Sequence, residues 1–302
     1  VRLLIYGAGV IGSTYAVYFS KAGYDVSVYA RGKRLEALQT KGLHYLEKNE
    51  IQKVDVRILS NLADDDIYDF IFLTVRENQL YEALEELKSN QSKCIITMVN
   101  SIDDYHKWEN VCGRDRILPA FPGAGGRIKD DILDSALTPW IVQPTTFAEL
   151  SGRRTERTES LSKIFKKAHI PYQIVDDMHI WQLCHLAMVV PIADAYYEVE
   201  NPLKAGKELK VMTRTAGRLK RNFHFLKEHL GVLSPNKMNL FLFVPQPILA
   251  IGLSFVFCSS FGEKFMYEHS IKAPDEMRQL HRQFYGYVKN HQNSDLSRIK
   301  YK

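Results

Sequence analysis

One stretch near the start of the chain narrows its possible folds more than any other. Residues 2–6 (Arg-Leu-Leu-Ile-Tyr) form a short apolar run that meets Gly7-Ala8-Gly9-Val10-Ile11-Gly12. An apolar helical pattern continues from there to Ala22 and stops at Gly23. Residues 25–30 then read as a second strand, with Val26 and Val28 alternating with smaller or polar residues. Strand, glycine turn, helix and strand within about thirty residues is the size of one βαβ unit. In such a unit Gly7 permits the tight turn, Gly9 lets a pyrophosphate approach the backbone, and Gly12 lets helix and strand pack closely. Ala8, Val10 and Ile11 complete the loop, and the unpaired N–H groups of the helix start face the phosphates. The expectation is a Rossmann-type dinucleotide-binding fold.

The residues that end the second strand indicate which dinucleotide. An Asp or Glu there holds the adenosine 2′-hydroxyl of NAD(H). This chain has Tyr29-Ala30-Arg31-Gly32-Lys33-Arg34 instead. An acid would repel a 2′-phosphate, whereas a guanidinium grips it through two charge-assisted hydrogen bonds. The pattern predicts NADP(H), with Arg31 as the phosphate clamp and Lys33 or Arg34 in support.

Further strands are expected over 69–75, 94–99 and 117–120, with a helix over 79–89. Alternation of this kind specifies a parallel sheet covered on both faces. Gly123-Ala124-Gly125-Gly126 reads as a turn that brings backbone N–H groups to a ligand. Strand-like runs follow around 140–142 and 145–147, then a helix over 153–168 and a strand over 171–175. Gln143-Pro144-Thr145-Thr146 reads as a strand turn within reach of the site. From Asp177 the strands stop, and helices are expected over 178–197, 207–230 and 275–289. An α/β half followed by an all-helical half puts the boundary near residue 176, giving domains 1–176 and 177–302.

Composition limits the function classes. The 302 residues are 45% hydrophobic and 25% charged, which is ordinary globular usage and argues against disorder. The net charge of +5 comes from interspersed basic and acidic residues, so solvated faces are expected and not a nucleic-acid stripe. Cys94, Cys112, Cys184 and Cys258 are scattered, without metal-ligand spacing. That predicts free thiols, no metal and a cytoplasmic location, and no secretory leader is read ahead of the first strand. Residues 239–261 carry no charge and match a membrane span in length, but Pro245, Pro247 and Gly252 interrupt them. A broken, buried helix pair beside a ligand pocket is expected there, not a membrane segment.

With these residues in hand, the chain resembles the ketopantoate reductase (2-dehydropantoate 2-reductase) family. The glycine loop and Arg31 match the family's cofactor motif. Thr74-Val75-Arg76-Glu77-Asn78-Gln79 is similar to its Val-Lys-x-x-Gln segment, with Arg76 in the lysine's place. Val99-Asn100-Ser101 is similar to its Asn-Gly turn, which puts Asn100 near the nicotinamide end. Trp181 and Val190-Pro191-Ile192 match the anchors of its long helix, and 268–274 resembles a late His-Gly-Ile-x-x-Pro turn. The resemblance implies a Rossmann domain followed by a helical domain for substrate and dimerisation, with the site in the cleft. It also implies an oxidoreductase acting on a small carbonyl, and a homodimer.

The family's catalytic residues have no counterparts. Its lysine falls at Leu183 counted from Trp181, or at Gln182 counted from Pro191, and its late glutamate falls at Ser254. None of these donates a proton as an ammonium does. Leu186 and Val190 replace neighbouring polar groups, so a substrate less polar than ketopantoate is expected. His185 shares a helical face with Trp181 and Gln182 and is the candidate proton donor, with Asn100 beside it in the catalytic set. Glu263, Ser259 and Ser260 are weaker candidates, and Arg76 is a candidate clamp for cofactor or carboxylate. Two functions follow: an NADPH-dependent reductase of a 2-oxo acid or related carbonyl, or an NADPH-binding sensor without catalysis.

Overall fold

The computed structural model describes residues 1–267, 270–271 and 274–291. It divides into two compact units, Val1–Met178 and His179–Lys302. The first unit runs β1 (Arg2–Tyr6), α1 (Val10–Lys21), β2 (Asp25–Tyr29), α2 (Gly32–Lys41), β3 (Leu43–Glu47), β4 (Glu50–Val54) and β5 (Arg57–Leu59). It continues with β6 (Phe70–Leu73), α3 (Leu80–Leu87), β7 (Ile95–Met98), α4 (Tyr105–Cys112), β8 (Ile117–Phe121), β9 (Ala124–Lys129) and β10 (Ile132–Leu137). β11 (Thr145–Phe147), α5 (Glu156–Lys167) and β12 (Tyr172–Ile174) complete it.

Eight strands form one sheet in the order β12-β11-β8-β7-β6-β1-β2-β5. β1 is an interior strand, with Ile5 opposite Val28 of β2 and Phe72 of β6, both in parallel register. The sheet departs from the all-parallel expectation at one place, where β11 pairs antiparallel with β8. Parallel strands need a long crossover. The chain instead leaves β8 through the β9–β10 hairpin and re-enters the sheet reversed. That hairpin joins β3 and β4 in a second, four-stranded sheet.

One face of the large sheet is filled with aromatic rings. Phe19 of α1 lies 4.8 Å from Phe72, and Phe165 of α5 lies 5.7 Å from Phe147. Tyr15, fully buried among them, hydrogen-bonds Thr145 Oγ1 at 2.5 Å. Burial pushes its phenol up to about 12. The helix expected from residue 153 begins at Glu156, because Thr155 caps it in a reciprocal capping box with Thr158.

Gly123 to Gly126 are structural and not a ligand-facing turn. The Gly123 N–H donates to Tyr15 Oη at 3.1 Å, and a Cβ there would lie 2.4 Å from the Thr145 nitrogen. Gly126 sits inside β9, where a Cβ would lie 2.3 Å from the Asp134 carbonyl oxygen. Residues 140–142 form an exposed turn and not a strand, since the N–H groups of Val142 and Gln143 both donate back to the Pro139 carbonyl, at 2.9 and 3.1 Å. Gln143 donates to the Pro122 carbonyl, and Thr146 Oγ1 to Pro144.

The second unit is helical: α6 (Met178–Tyr197), α7 (Leu209–Leu230), α8 (Leu240–Phe243), α9 (Gln246–Phe257) and α10 (Pro274–His291). α7 buries Val211, Met212, Thr215, Leu219, Phe223 and Leu226 along one face, the stripe of an amphipathic helix. Asn222 on that face donates to the Ala187 carbonyl of α6 at 3.1 Å. The chain breaks between α8 and α9 at Pro245, and Lys220 Nζ donates to the freed carbonyls of Leu242 and Val244 at 2.9 and 2.7 Å. The break was expected from the prolines, but the burial was not met. Ala250, Leu253 and Phe257 are buried, while Ile248, Ile251 and Phe255 on the other face are exposed. Among the described residues no helix is long and apolar enough to cross a membrane.

Candidate functional site

The site grows from the carboxyl ends of β1, β2 and β6, where ligands of open α/β sheets bind. β1 ends at Tyr6 and turns at Gly7, whose φ of +111° is a glycine conformation. A Cβ on Gly7 would lie 2.9 Å from the Thr74 carbonyl oxygen, so only glycine fits between the ends of β1 and β6. Thr74 Oγ1 locks the turn by donating to the Gly7 carbonyl at 2.7 Å. Gly9 caps α1, and a Cβ there would meet nothing within 4 Å. Its open side is therefore space left for a ligand against the backbone. Gly12 faces the other way, into the β1–α1 contact, where a Cβ would lie 1.9 Å from the Gly7 carbonyl oxygen.

A cavity of about 430 Å³ opens over this loop. Gly7, Ala8, Gly9, Arg31, Val75, Arg76 and Gln79 line it, so the structure brings these sequence-predicted residues together. Val10, Ile11 and Gly12 start α1 behind them. Lys33 does not line the cavity. Arg34 does, but its guanidinium braces the loop, with Nε donating to the Ala8 carbonyl at 3.1 Å and one terminal nitrogen to Ser13 Oγ at 3.3 Å. Arg76 lines the cavity exposed and without an ion pair among the described residues.

Arg31 is in place at the end of β2, but it is not free. Its Nε donates to Tyr29 Oη at 3.0 Å, and its terminal nitrogens donate to Glu82 at 2.9 Å, to Tyr6 Oη at 2.8 Å and to Glu86. Tyr6 in turn donates to Glu86. Burial, and then that hydrogen bond, push the Tyr6 phenol well above its usual range, so it stays a donor. Glu82 and Glu86 were not found by sequence reasoning. The available signal was their spacing of four on the expected helix, which puts both on one face.

Asn100 follows β7 at the same edge of the sheet and does not line this cavity. Its Oδ1 is buried with no hydrogen-bond partner among the described residues, an acceptor left over at the strand's carboxyl end. A larger groove of about 1000 Å³ lies at the amino ends of β6, β7 and β8. There Arg157 and Glu149 satisfy each other, and the groove faces the wrong end of the sheet for a dinucleotide.

In the helical unit, His185 is 6% exposed and stacks on Trp181, with ring centroids 5.1 Å apart and planes within 8°. Gln182 and Leu183 beside it are buried. Ser254 donates to the Gly206 carbonyl, and Ser259 Oγ donates to Val256 and accepts from the Gly262 N–H. These two serines are tied to backbone. Glu263 is exposed on a one-turn π-helix. In the 268–274 turn, Glu268, His269, Lys272 and Ala273 lie outside the described residues.

Comparison with known proteins meets this geometry at the same residues. Residues 3–130 match the sequence profile of the family described as Ketopantoate reductase PanE/ApbA. That stretch of the chain is similar to a ketopantoate reductase-family domain. A 2-dehydropantoate 2-reductase of Mesorhizobium japonicum is 26% identical over 60% of this chain and 62% of its own length. One of Archaeoglobus fulgidus is 25% identical over 66% of this chain and 65% of its own. The chain thus spans under two thirds of the length of these relatives. The crystal structure of 2-dehydropantoate 2-reductase from Porphyromonas gingivalis W83 covers 91% of this chain and 99% of its own, with TM-score 0.64 and 14% identity. D-mandelate dehydrogenase with NADH and anilino(oxo)acetate covers 96% and 99%, with TM-score 0.61 and 14% identity. At such identities the likeness speaks for the fold alone.

The residues present fit a nicotinamide dinucleotide. The open flank of Gly9 at the start of α1 suits a pyrophosphate, and the Arg31 end of the cavity suits the adenosine ribose.

Proposed function

We propose that this protein, similar over residues 3–130 to ketopantoate reductases, is an NADP(H)-dependent oxidoreductase that reduces a 2-oxo acid or related small carbonyl. The observation that carries the reading is the cavity over the Gly7–Gly12 loop with Arg31 and Arg76 in its wall. The dinucleotide, when bound, supplies the hydride. The chain's own part is to seat it: Gly9 leaves the backbone bare for the pyrophosphate, Arg31 and Arg76 meet the 2′-phosphate, and Asn100 offers its buried Oδ1 as an acceptor. His185, held flat against Trp181, supplies the proton that the carbonyl oxygen needs on reduction. The apolar surroundings of Gln182, Leu183 and Leu186 favour a substrate less polar than ketopantoate. A cytoplasmic location fits the four free cysteines.

The test is NADPH oxidation, followed by near-UV absorbance, against a panel of 2-oxo acids including ketopantoate. Turnover of any member supports a reductase. Tight NADPH binding with no turnover across the panel replaces it with a sensor that binds the dinucleotide without catalysis. Cofactor choice has a separate readout. Arg31→Ala is expected to weaken NADPH by about 1.5–3 kcal/mol, the worth of a charged hydrogen bond, and NADH far less. Equal losses in a fluorescence titration would remove Arg31 as the 2′ clamp.

The reading includes a homodimer through α9. Its exposed face, with Ile248, Ile251 and Phe255, belongs to a stretch without a single charge. A second copy is the partner such a face suits, because across a two-fold axis the same patch faces itself, so an uncharged apolar patch meets another. Sedimentation should give a dimer that Phe255→Glu converts to monomer, and a wild-type monomer at micromolar concentration would end this assignment.

A further inference from the structure

We infer that Glu82 and Glu86 set which adenosine ribose the cavity accepts, a role that rests on the reading of Arg31 as the 2′ subsite. A guanidinium has five N–H donors. Four of Arg31's are committed: one to Tyr29, one to Glu82, one to Tyr6 and one to Glu86. A phosphate held by the fork needs two. A 2′-phosphate gripped by the fork therefore displaces at least one of these partners, and it approaches against the charge of both carboxylates.

A 2′-hydroxyl meets the opposite situation. Glu82 lines the cavity and presents a carboxylate, the acceptor that NAD-type units place at the end of their second strand. Here that strand ends in Arg31, and the acid comes from α3, about fifty residues later. The resting arrangement of Arg31 thus suits the hydroxyl, and Arg31 freed of its partners suits the phosphate.

The carboxylates can be displaced. Glu82 is 67% exposed, Glu86 39% and Arg31 47%, so solvent screens their pairing and its hold is weak. A 2′-phosphate carries more than one negative charge. Arg76, in the same cavity wall and without an ion pair among the described residues, adds a second cation once the phosphate arrives. The two glutamates therefore act as a built-in competitor: they leave NADPH binding possible, lower its affinity and keep NADH within reach.

The experiment compares NADPH with NADH by fluorescence titration, and 2′,5′-ADP with 5′-AMP by calorimetry. Each pair differs at the 2′-phosphate. Glu82→Gln, Glu86→Gln and the double variant are set beside wild type, Arg31→Ala and the control Glu85→Gln, whose carboxylate pairs with Lys88. The double variant is expected to tighten NADPH and 2′,5′-ADP at least ~10-fold, while NADH and 5′-AMP weaken or hold. Glu85→Gln should change neither. Unchanged preference in the double variant, with NADPH still lost in Arg31→Ala, would overturn the competitor role and leave the 2′ clamp standing. Equal effects of Arg31→Ala on both members of each pair would overturn both. Because Glu86 also holds Tyr6, the single variant Glu82→Gln, which leaves that contact intact, carries the test if the double variant does not fold.

Discussion

Gly12→Ala is expected to lower the stability of the first unit by about 3 kcal/mol and to abolish dinucleotide binding. The added Cβ would lie 1.9 Å from the Gly7 carbonyl oxygen, 2.5 Å from Thr74 Oγ1 and 2.8 Å from Ile5 Cγ2. The first is backbone of the turn and the last is a fully buried side chain of an interior strand, so neither can swing aside. α1 has to move off β1 instead, opening the aromatic layer around Tyr15 and Phe19 and dragging the phosphate-facing turn with it. Helix propensity returns only about 1 kcal/mol when glycine becomes alanine. For a unit of this size a net loss of about 3 kcal/mol, that return already included, is a fall in melting temperature of about 6–12 °C. Gly9→Ala is the matched comparison. Its Cβ meets no protein atom within 4 Å, so the melting temperature should hold while NADPH binding falls at least ~10-fold. A thermal melt and a titration on both variants separate packing from ligand approach. A Gly12→Ala protein that melts with wild type would show that the close packing of α1 on β1 is not required.

His185→Ala is expected to lower turnover at least ~100-fold on whichever carbonyl the wild type reduces, with NADPH affinity unchanged. Leu183 and Gln182 stand where the family has its lysine, and neither delivers a proton as an ammonium does. Ser254, in the glutamate's place, spends its hydroxyl on the Gly206 carbonyl. Of the side chains in this stretch of α6, the imidazole is the one whose ring nitrogens can carry a proton to a substrate oxygen. The Trp181 ring lies parallel to it and fixes its plane, so Trp181→Ala should lower turnover as well, by loosening the donor. His185→Gln retains the bulk and a hydrogen-bond donor but cannot transfer a proton. Its turnover should fall with that of the alanine variant, while its melting temperature stays near wild type. Wild-type turnover in either His185 variant would remove this residue from the mechanism.

The parts legible in advance share one property: their signals are local. The β1–glycine loop–α1–β2 unit was readable because its strand, turn and helix lie within about thirty residues and each has its own spacing. α6 was expected over 178–197 and spans Met178–Tyr197, because a twenty-residue apolar run bounded by Asp177 and a polar stretch leaves little choice. Arg31, Val75, Arg76 and Gln79 came from motifs at fixed distances from strand ends, and the structure gathers all four in one cavity wall.

What tertiary structure alone decided involves groups that are far apart in sequence. The second sheet pairs β10 with β3 across nearly ninety residues, and neither strand has strong alternation of its own. β11 runs antiparallel because of how the chain re-enters the sheet, and Thr145–Phe147 carries no mark of direction. Gly123 looked available to a ligand until Tyr15, from α1, took its N–H. α9 looked buried because it is apolar, yet hydropathy does not say whether the chain supplies a partner for each face. The ion pairing of Arg31 is the case with most consequence. Sequence determined that a guanidinium ends β2 where an acid is usual. Only the fold, which sets the side chains of α3 within reach of Arg31, brought two carboxylates onto it, because Coulombic contact depends on distance in space and a motif records only distance along the chain.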